Sequence, residues 1–239
     1  MSSTISLRTP VQEELATRAP RSQASIVWRA LRRNKLAIVG MLIIVALFVA
    51  CFGAPYLAGY DPNKMSPRER LDPPSAAHPL GTDSFGRDML TRILYGGRVS
   101  LAVGFASVAI LTTIGVIVGA AAGYYGGLVD TVLMRFVDVM LSVPNFFLLL
   151  AVVALFGPSL RNTMLVIGLT SWMATARLVR GQFLAERQKD YILSARSTGV
   201  SDSRIIWRHL MPNSMAVIIV YATLWIAFAV ILEASLSYL

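Results

Sequence analysis

Three lysines, two histidines and one cysteine are all that this 239-residue chain holds of those side chains. Each scarcity closes a class of function. Lys35, Lys64 and Lys189 do not follow a glycine in a phosphate-binding loop pattern, so the chain is not itself a P-loop ATPase. His78 and His209 stand far apart and lack metal-ligand spacing. No G-x-S-x-G nucleophile elbow is written in the chain. Cys51 alone supports no disulfide framework. It follows Val49-Ala50 in an apolar run, faintly like a lipoprotein cleavage site, but Phe48 and the depth in the chain favour a buried, inert thiol. The expectation is no catalytic residue, no metal and no cofactor on this chain.

Charge is also sparse. Only 15% of residues are charged against 55% hydrophobic, and mean hydropathy is +0.61. That excludes an ordinary soluble domain. Crossing the hydrocarbon core takes about 20 apolar residues in a helix. Leu36–Tyr60, Val99–Val129, Val139–Leu160 and Leu210–Leu232 meet that length without a charge, and Asn162–Ala176 reaches it if Arg177 and Arg180 snorkel. The reading is an all-α polytopic bundle with five spans. It divides into a disordered N-terminus over residues 1–25, a first span with its following loop over 26–98, and a transmembrane domain over 99–239.

Basic residues set orientation. Seven lie in residues 1–35 and seven in residues 176–211, which fall on one side if the spans alternate. Both regions are therefore expected in the cytoplasm, with the N-terminus inside a cell or inner membrane. The loop Ala58–Arg98, with six basic and five acidic residues, is expected outside. Residues 1–25 are polar and unlike a cleavable signal. The net charge of +9 points to anionic lipid at the cytoplasmic face, and not to nucleic acid.

Acids lie only near span ends: Asp130, Asp138 and Glu233. Asp138 follows Arg135 by three residues, so the two are expected to pair. That leaves no ion-coupling site of the kind proton- or sodium-driven carriers keep within the bilayer. Gly104, Gly115, Gly119, Ala120, Ala121, Ala122 and Gly123 permit close helix approach and fit packing against partners. Pro144 should kink the third span.

Residues 190–212, DYILSARSTGVSDSRIIWRHLMP, form a charged stretch trapped between two spans. They read as two short helices broken at Gly199, the first capped by Asp190 and the second by Ser201 or Asp202. Ile205, Ile206, Trp207, Leu210 and Met211 are apolar, while Arg204, Arg208 and His209 are basic. A DNA-binding helix-turn-helix is rejected, because both ends are anchored in spans. With no core of its own to join, such an element suits a soluble partner.

The run Leu193-Ser194-Ala195-Arg196-Ser197-Thr198-Gly199, with Ile206 and Met211-Pro212, resembles the cytoplasmic EAA loop of ABC importer permeases. Gly199, Ile206 and Pro212 keep the family spacing, Ala195 matches its last alanine, and Leu193, Ser194 and Met211 depart from it. In the family this loop docks on the ATPase subunit, which by resemblance gives a coupling role to Leu193, Ser194, Ala195, Arg196, Gly199, Arg204, Ile206, Trp207, Arg208 and Pro212. His78-Pro79-Leu80-Gly81-Thr82-Asp83, Gly86-Arg87-Asp88 and Tyr95-Gly96-Gly97-Arg98-Val99-Ser100-Leu101 resemble the C-type permease of dipeptide, oligopeptide and nickel importers. So do Ala122-Gly123-Tyr124-Tyr125-Gly126-Gly127, Arg135-Phe136-Val137-Asp138, and Arg208-His209 before Pro212-Asn213.

The resemblance implies an importer permease for peptides or a related solute such as a nickel complex. It implies a homologous second permease, two ATP-binding subunits that hold ATP and Mg, and an extracytoplasmic substrate-binding protein. Gly81, Thr82, Asp83, Gly86, Arg87 and Asp88 form the outer loop motif. A structural role is favoured there, with turns at Gly81 and Gly86 and an Asp83–Arg87 pair. The rival function is a passive channel or membrane scaffold with a docking element and no ATP coupling. The resembled permeases carry six spans, so five imply a C-terminally incomplete chain.

Overall fold

The computed structural model describes residues 31–157 and 159–238. The expected disorder of residues 1–25 lies outside the described residues. Among the described residues all regular structure is helical, apart from an isolated antiparallel bridge between Thr82 and Asp88. The chain divides into two compact units, with the boundary in the sequence between Leu57 and Ala58.

In the first unit, α1 (Lys35–Phe52) starts where the Asn34 side chain accepts a hydrogen bond from the Ala37 amide at 3.2 Å, and ends at Gly53. A single turn, α2 (Ala54–Leu57), follows. Leu42, Ile43, Leu47 and Val49 are exposed, on a helix apolar all round, as a lipid-facing span requires.

In the second unit, α3 (Met89–Tyr125) is the central helix. Its start was hidden by Arg92 and Arg98, which break the apolar run. The signal is the N-cap: Asp88 accepts the Thr91 amide at 2.7 Å. Next come α4 (Gly127–Ser142), α5 (Asn145–Phe156), α6 (Leu160–Thr170) and α7 (Trp172–Glu186). The charged segment holds α8 (Asp190–Ser197), α9 (Asp202–Ile205) and a π-turn (Ile206–Leu210), which runs without a break into α10 (Met211–Tyr238).

Of the five expected spans, three lie on single long helices and two are divided between shorter ones. Among the described residues three helices are long and apolar enough to cross a membrane: α1, α3 and the continuous rod Asp202–Ser237. The 139–160 run is instead divided between α4 and α5. Pro144 lacks an amide to donate, and Val143 before it is extended at φ −86°, ψ 124°, so the expected kink is a full break. The 162–176 run is likewise divided between α6 and α7 at Ser171, whose backbone leaves the helical region at φ −119°, ψ 1°. Glu233, expected beyond the last span, lies inside α10 and is buried, accepting hydrogen bonds from Ser100 at 2.8 Å and Ser237 at 2.9 Å.

Packing centres on α3 and α7. Gly115, Gly119 and Gly123 recur every fourth residue and place one glycine stripe against α7. A Cβ on Gly115 would lie 2.7 Å from Thr175 Cγ2, and one on Gly123 would lie 2.6 Å from Phe183 Cβ. The small residues expected to face partners are therefore used, at these three positions, within the chain. One apolar core gathers Val103, Leu111, Val137, Leu149, Ile167 and Met173; a second joins Tyr124, Val179, Phe183, Ile192, Ile205 and Leu210.

Two ion pairs tie α7 to α4. Arg180 Nη2 donates to Asp130 Oδ2 at 2.6 Å, and Arg177 Nη2 to Asp138 Oδ1 at 2.5 Å. Asp138 thus pairs across helices, where a pair with Arg135 along one helix was expected. A single charge-assisted hydrogen bond from Arg177 takes the carboxylate.

Candidate functional site

The segment 190–212 is seated by its own core, which corrects the expectation that it has none. Ile192 on α8, Ile205 on α9 and Leu210 in the π-turn are fully buried, beside Val179 and Phe183 of α7. Ile206 and Ala195 are partly buried against the same cluster. The break at Gly199 is present, with φ +76°, a conformation that glycine adopts without strain. Neither expected side-chain cap forms. Lys189 occupies the N-cap position of α8, Asp190 sits in its first turn where the helix dipole favours an acid, and Ser201 at the N-cap of α9 makes no side-chain bond.

Sorting the apolar residues by burial leaves two that are more than half exposed. Trp207 is 64% exposed and Leu193 is 51% exposed. Arg204 and Arg208 are exposed on the same stretch as Trp207. Ser194 is exposed and its carbonyl accepts from Thr198 Oγ1 at 3.1 Å, closing the last turn of α8. The π-turn precedes Pro212, which has no amide to give; the Met211 amide reaches Ile206 O, and Asn213 Nδ2 donates to His209 O at 2.8 Å.

Around the segment lies a polar frame that spacing did not disclose. Tyr124 Oη donates to Asp202 Oδ1 at 2.6 Å, and the Arg196 guanidinium sits 4.8 Å over the Tyr124 ring. Arg187 Nη1 donates to the carbonyls of Gly123 at 3.1 Å and Tyr124 at 3.0 Å, capping α3. It fits because Gly126, at φ +68°, has no Cβ, which would lie 2.8 Å from Arg187 Nη1. An open cleft of about 770 Å³ is lined by Tyr124, Arg187, Leu193, Arg196 and Asp202 among others. Beside it Glu186 accepts from Lys189 at 2.6 Å and from Tyr191 Oη at 2.8 Å, while Asn213 donates to that same hydroxyl at 2.9 Å. The Lys189 ammonium holds Glu186 below its ordinary range; burial, then the Glu186 bond, pushes Tyr191 up. The Tyr124-Tyr125-Gly126-Gly127 run was the one sequence signal of this frame.

The second motif, in the 58–88 loop, is tied to itself. Gly81 and Gly86 have φ +74° and +72°. A Cβ on Gly81 would lie 2.6 Å from Asp72 O, and one on Gly86 would run into the Ser66 carbonyl. Thr82 Oγ1 donates to Glu69 O and accepts the Asp72 amide at 2.9 Å. Asp83 accepts the amides of Phe85 at 2.8 Å and Arg87 at 3.0 Å, with Arg87 Nε at 2.8 Å and Arg92 Nη1 at 2.5 Å on its other oxygen. Burial pushes its carboxyl up, but these donors outweigh burial and hold it well below the usual carboxylate range. His78, far from isolated in space, is buried, stacks on Tyr60 at 4.7 Å and places Nδ1 2.9 Å from Asp88 Oδ1. Burial raises Asp88 too, yet the Thr91 amide and His78 bring it below its ordinary value. Among the described residues no group of three or more His, Cys, Asp or Glu is placed to hold a metal ion.

Comparison with known proteins gives this geometry its setting. Residues 115–239 match the family described as binding-protein-dependent transport system inner membrane component. Residues 22–74 match the N-terminal TM domain of oligopeptide transport permease C. Over 230 residues, 96% of this chain and 75% of the relative, the sequence is 40% identical to the dipeptide transport system permease protein DppC of Alkalihalophilus pseudofirmus. It is 40% identical to the same-named protein of Bacillus subtilis, covering 89% of this chain and 66% of that one. The glutathione transport system permease protein GsiD of Pectobacterium atrosepticum is 40% identical, covering 96% and 76%. The chain spans about two thirds to three quarters of the length of these relatives.

Proposed function

We propose, on the premise that this chain belongs to the family of binding-protein-dependent transport system inner membrane components, that residues 190–212 are where ATP-driven work enters it. The chain is a permease subunit of an ABC importer, and the names of its relatives support a peptide as the solute. A passive channel or scaffold is not favoured by that membership.

The finer assignments are ours. ATP and Mg belong to two separate ATPase subunits, since this chain has no phosphate-binding lysine loop. A homologous second permease completes the path, an extracytoplasmic binding protein delivers the solute, and lipid surrounds the spans; nucleic acid is no partner. The N-terminus and residues 190–212 face the cytoplasm, and the 58–88 loop faces outward. Buried Gly81 and Gly86 and half-buried Asp83 and Arg87 hold that loop's shape, with no cofactor on this chain.

The observation that carries the docking role is Trp207. Ile205, Leu210 and Met211 are buried while the larger indole three residues before Leu210 stays 64% exposed, flanked by Arg204 and Arg208. Tryptophan and arginine are the side chains that anchor protein interfaces. Trp207→Asp should release the ATPase subunits during purification of the assembled importer and abolish uptake. Retention of both would sink the assignment.

A further inference from the structure

Docking at residues 190–212 is useful only if a displacement there reaches the membrane-spanning helices. We propose that Tyr124 and Asp202 are the link that carries it to α3, a positioning pair that acts through the helix and does not touch the solute. The inference rests on the docking reading of residues 190–212 given above.

Two routes lead out of the segment. The apolar route runs from Ile192 and Ile205 to Val179 and Phe183 of α7, and to Ala120 and the Tyr124 ring of α3 in the same cluster. Apolar contact of this kind is non-directional, so it holds elements together without fixing their angle. The polar route is direct. Tyr124 is the next-to-last residue of α3 and is 3% exposed, yet its hydroxyl emerges to meet Asp202 at 2.6 Å. Arg196, on the opposite side of the Gly199 joint, lies over the same ring. Both arms of the segment therefore grip one side chain: α8 through a cation on the ring face, α9 through a carboxylate on the hydroxyl. Arg187 holds the main chain beneath it by the Gly123 and Tyr124 carbonyls.

A charge-assisted hydrogen bond fails over a fraction of an ångström, so it registers a small rotation that apolar packing would absorb. Asp202 is exposed, and water takes Tyr124's place when the bond opens. The open and closed states then differ by no more than about tenfold in population, as a link broken and remade in each transport cycle requires. A plain anchor predicts something else: its loss would lower stability and assembly together, and leave the stoichiometry of surviving complexes unchanged.

The test uses the complete importer in proteoliposomes, with uptake of a radiolabelled dipeptide and ATP hydrolysis measured on the same vesicles. Tyr124→Phe keeps the ring under Arg196 and removes only the hydroxyl. Asp202→Ala removes the acceptor at an exposed position where folding is not at stake. Each should lower uptake per ATP by about tenfold, the scale of one charge-assisted hydrogen bond, with the ATPase subunits still bound. Combining them should cost no more than either alone, because they remove the same bond. Asp202→Asn, which keeps an acceptor oxygen, should restore most of the coupling lost in Asp202→Ala. An unchanged ratio in either single variant, or a double variant that multiplies the two losses, overturns the link. Trp207→Asp run alongside separates the two readings: if it releases the ATPase subunits or abolishes uptake and Tyr124→Phe leaves uptake per ATP unchanged, the link alone falls. If Trp207→Asp leaves transport intact, the docking reading falls and takes the link with it.

Discussion

Gly119 and Val179 meet so closely that a Cβ on the glycine would lie 2.8 Å from the valine Cβ. The contact sits midway along the stripe that seats α3 on α7, and its neighbour on the other side is the Ala176 main chain, which cannot rotate away. Gly119→Ala should therefore destabilise the purified protein by about 1–3 kcal/mol, the usual cost of forcing a methyl group into a packed seam. Gly40→Ala, with nothing within 4 Å, serves as the matched control. Thermal unfolding in detergent measures both. Equal midpoints for the two variants would contradict the packing argument.

Arg180 and Asp130 offer a double-mutant test. Their side chains are one-third and one-sixth exposed, so each shields the other from an apolar surrounding. Asp130→Ala or Arg180→Ala alone leaves a charge without its partner, and each should reduce the yield of folded protein. The double variant Asp130→Ala with Arg180→Ala should recover much of the loss. Size-exclusion profiles report the outcome; a double variant worse than both singles would refute it.

The 58–88 loop should depend on acid. Asp83 and Asp88 are both held below the ordinary aspartate value of 3.8. A depressed folded-state value means the deprotonated form is favoured by folding, so the contribution is complete above pH 3.8 and fades as pH falls through the lower folded values. Hydrogen exchange at the Thr82, Asp83 and Met89 amides should be unchanged from about pH 7 to about pH 4, after correction for intrinsic rates, and accelerate below. Asp88→Asn should raise exchange at neutral pH. Protection that persists through pH 3.8 to acid extremes would show that these carboxylates do not hold the loop.

Topology can be read with one thiol. In a Cys51→Ala background, cysteine placed at the exposed Ser84 should react with a membrane-impermeant maleimide in intact cells, and cysteine at the exposed Ser201 should react only after lysis. The opposite pattern would invert the orientation argued from Lys and Arg.

Much of this was written plainly in the chain. Long apolar runs disclosed α1, the body of α3 and α10, and Gly199 marked the break between α8 and α9 because only a left-handed turn fits there. What the runs concealed was interruption. Val143-Pro144 and Ser171 break helices without breaking hydrophobicity, so a count of apolar length passes straight over them. The coupling segment was visible as a charged island, but not its division of labour. Ile205 and Trp207 look alike in an amphipathic pattern, and only the position of Phe183 on α7 decides which is buried. Tyr124 and Asp202, separated by 78 residues, share no local pattern at all.

The length of α3 has a mechanical meaning. At 37 residues it is about 55 Å long, nearly twice the thickness of about 30 Å of hydrocarbon. One unbroken rod carries Asp88 at its head and Tyr124 near its foot. Tilting such a rod by about 1° about one end sweeps the other through about 1 Å, for a helix rising about 1.5 Å per residue. About a pivot at mid-rod, a small shift at Tyr124 is matched by an equal and opposite displacement at the loop that Asp88 closes, delivered by leverage alone.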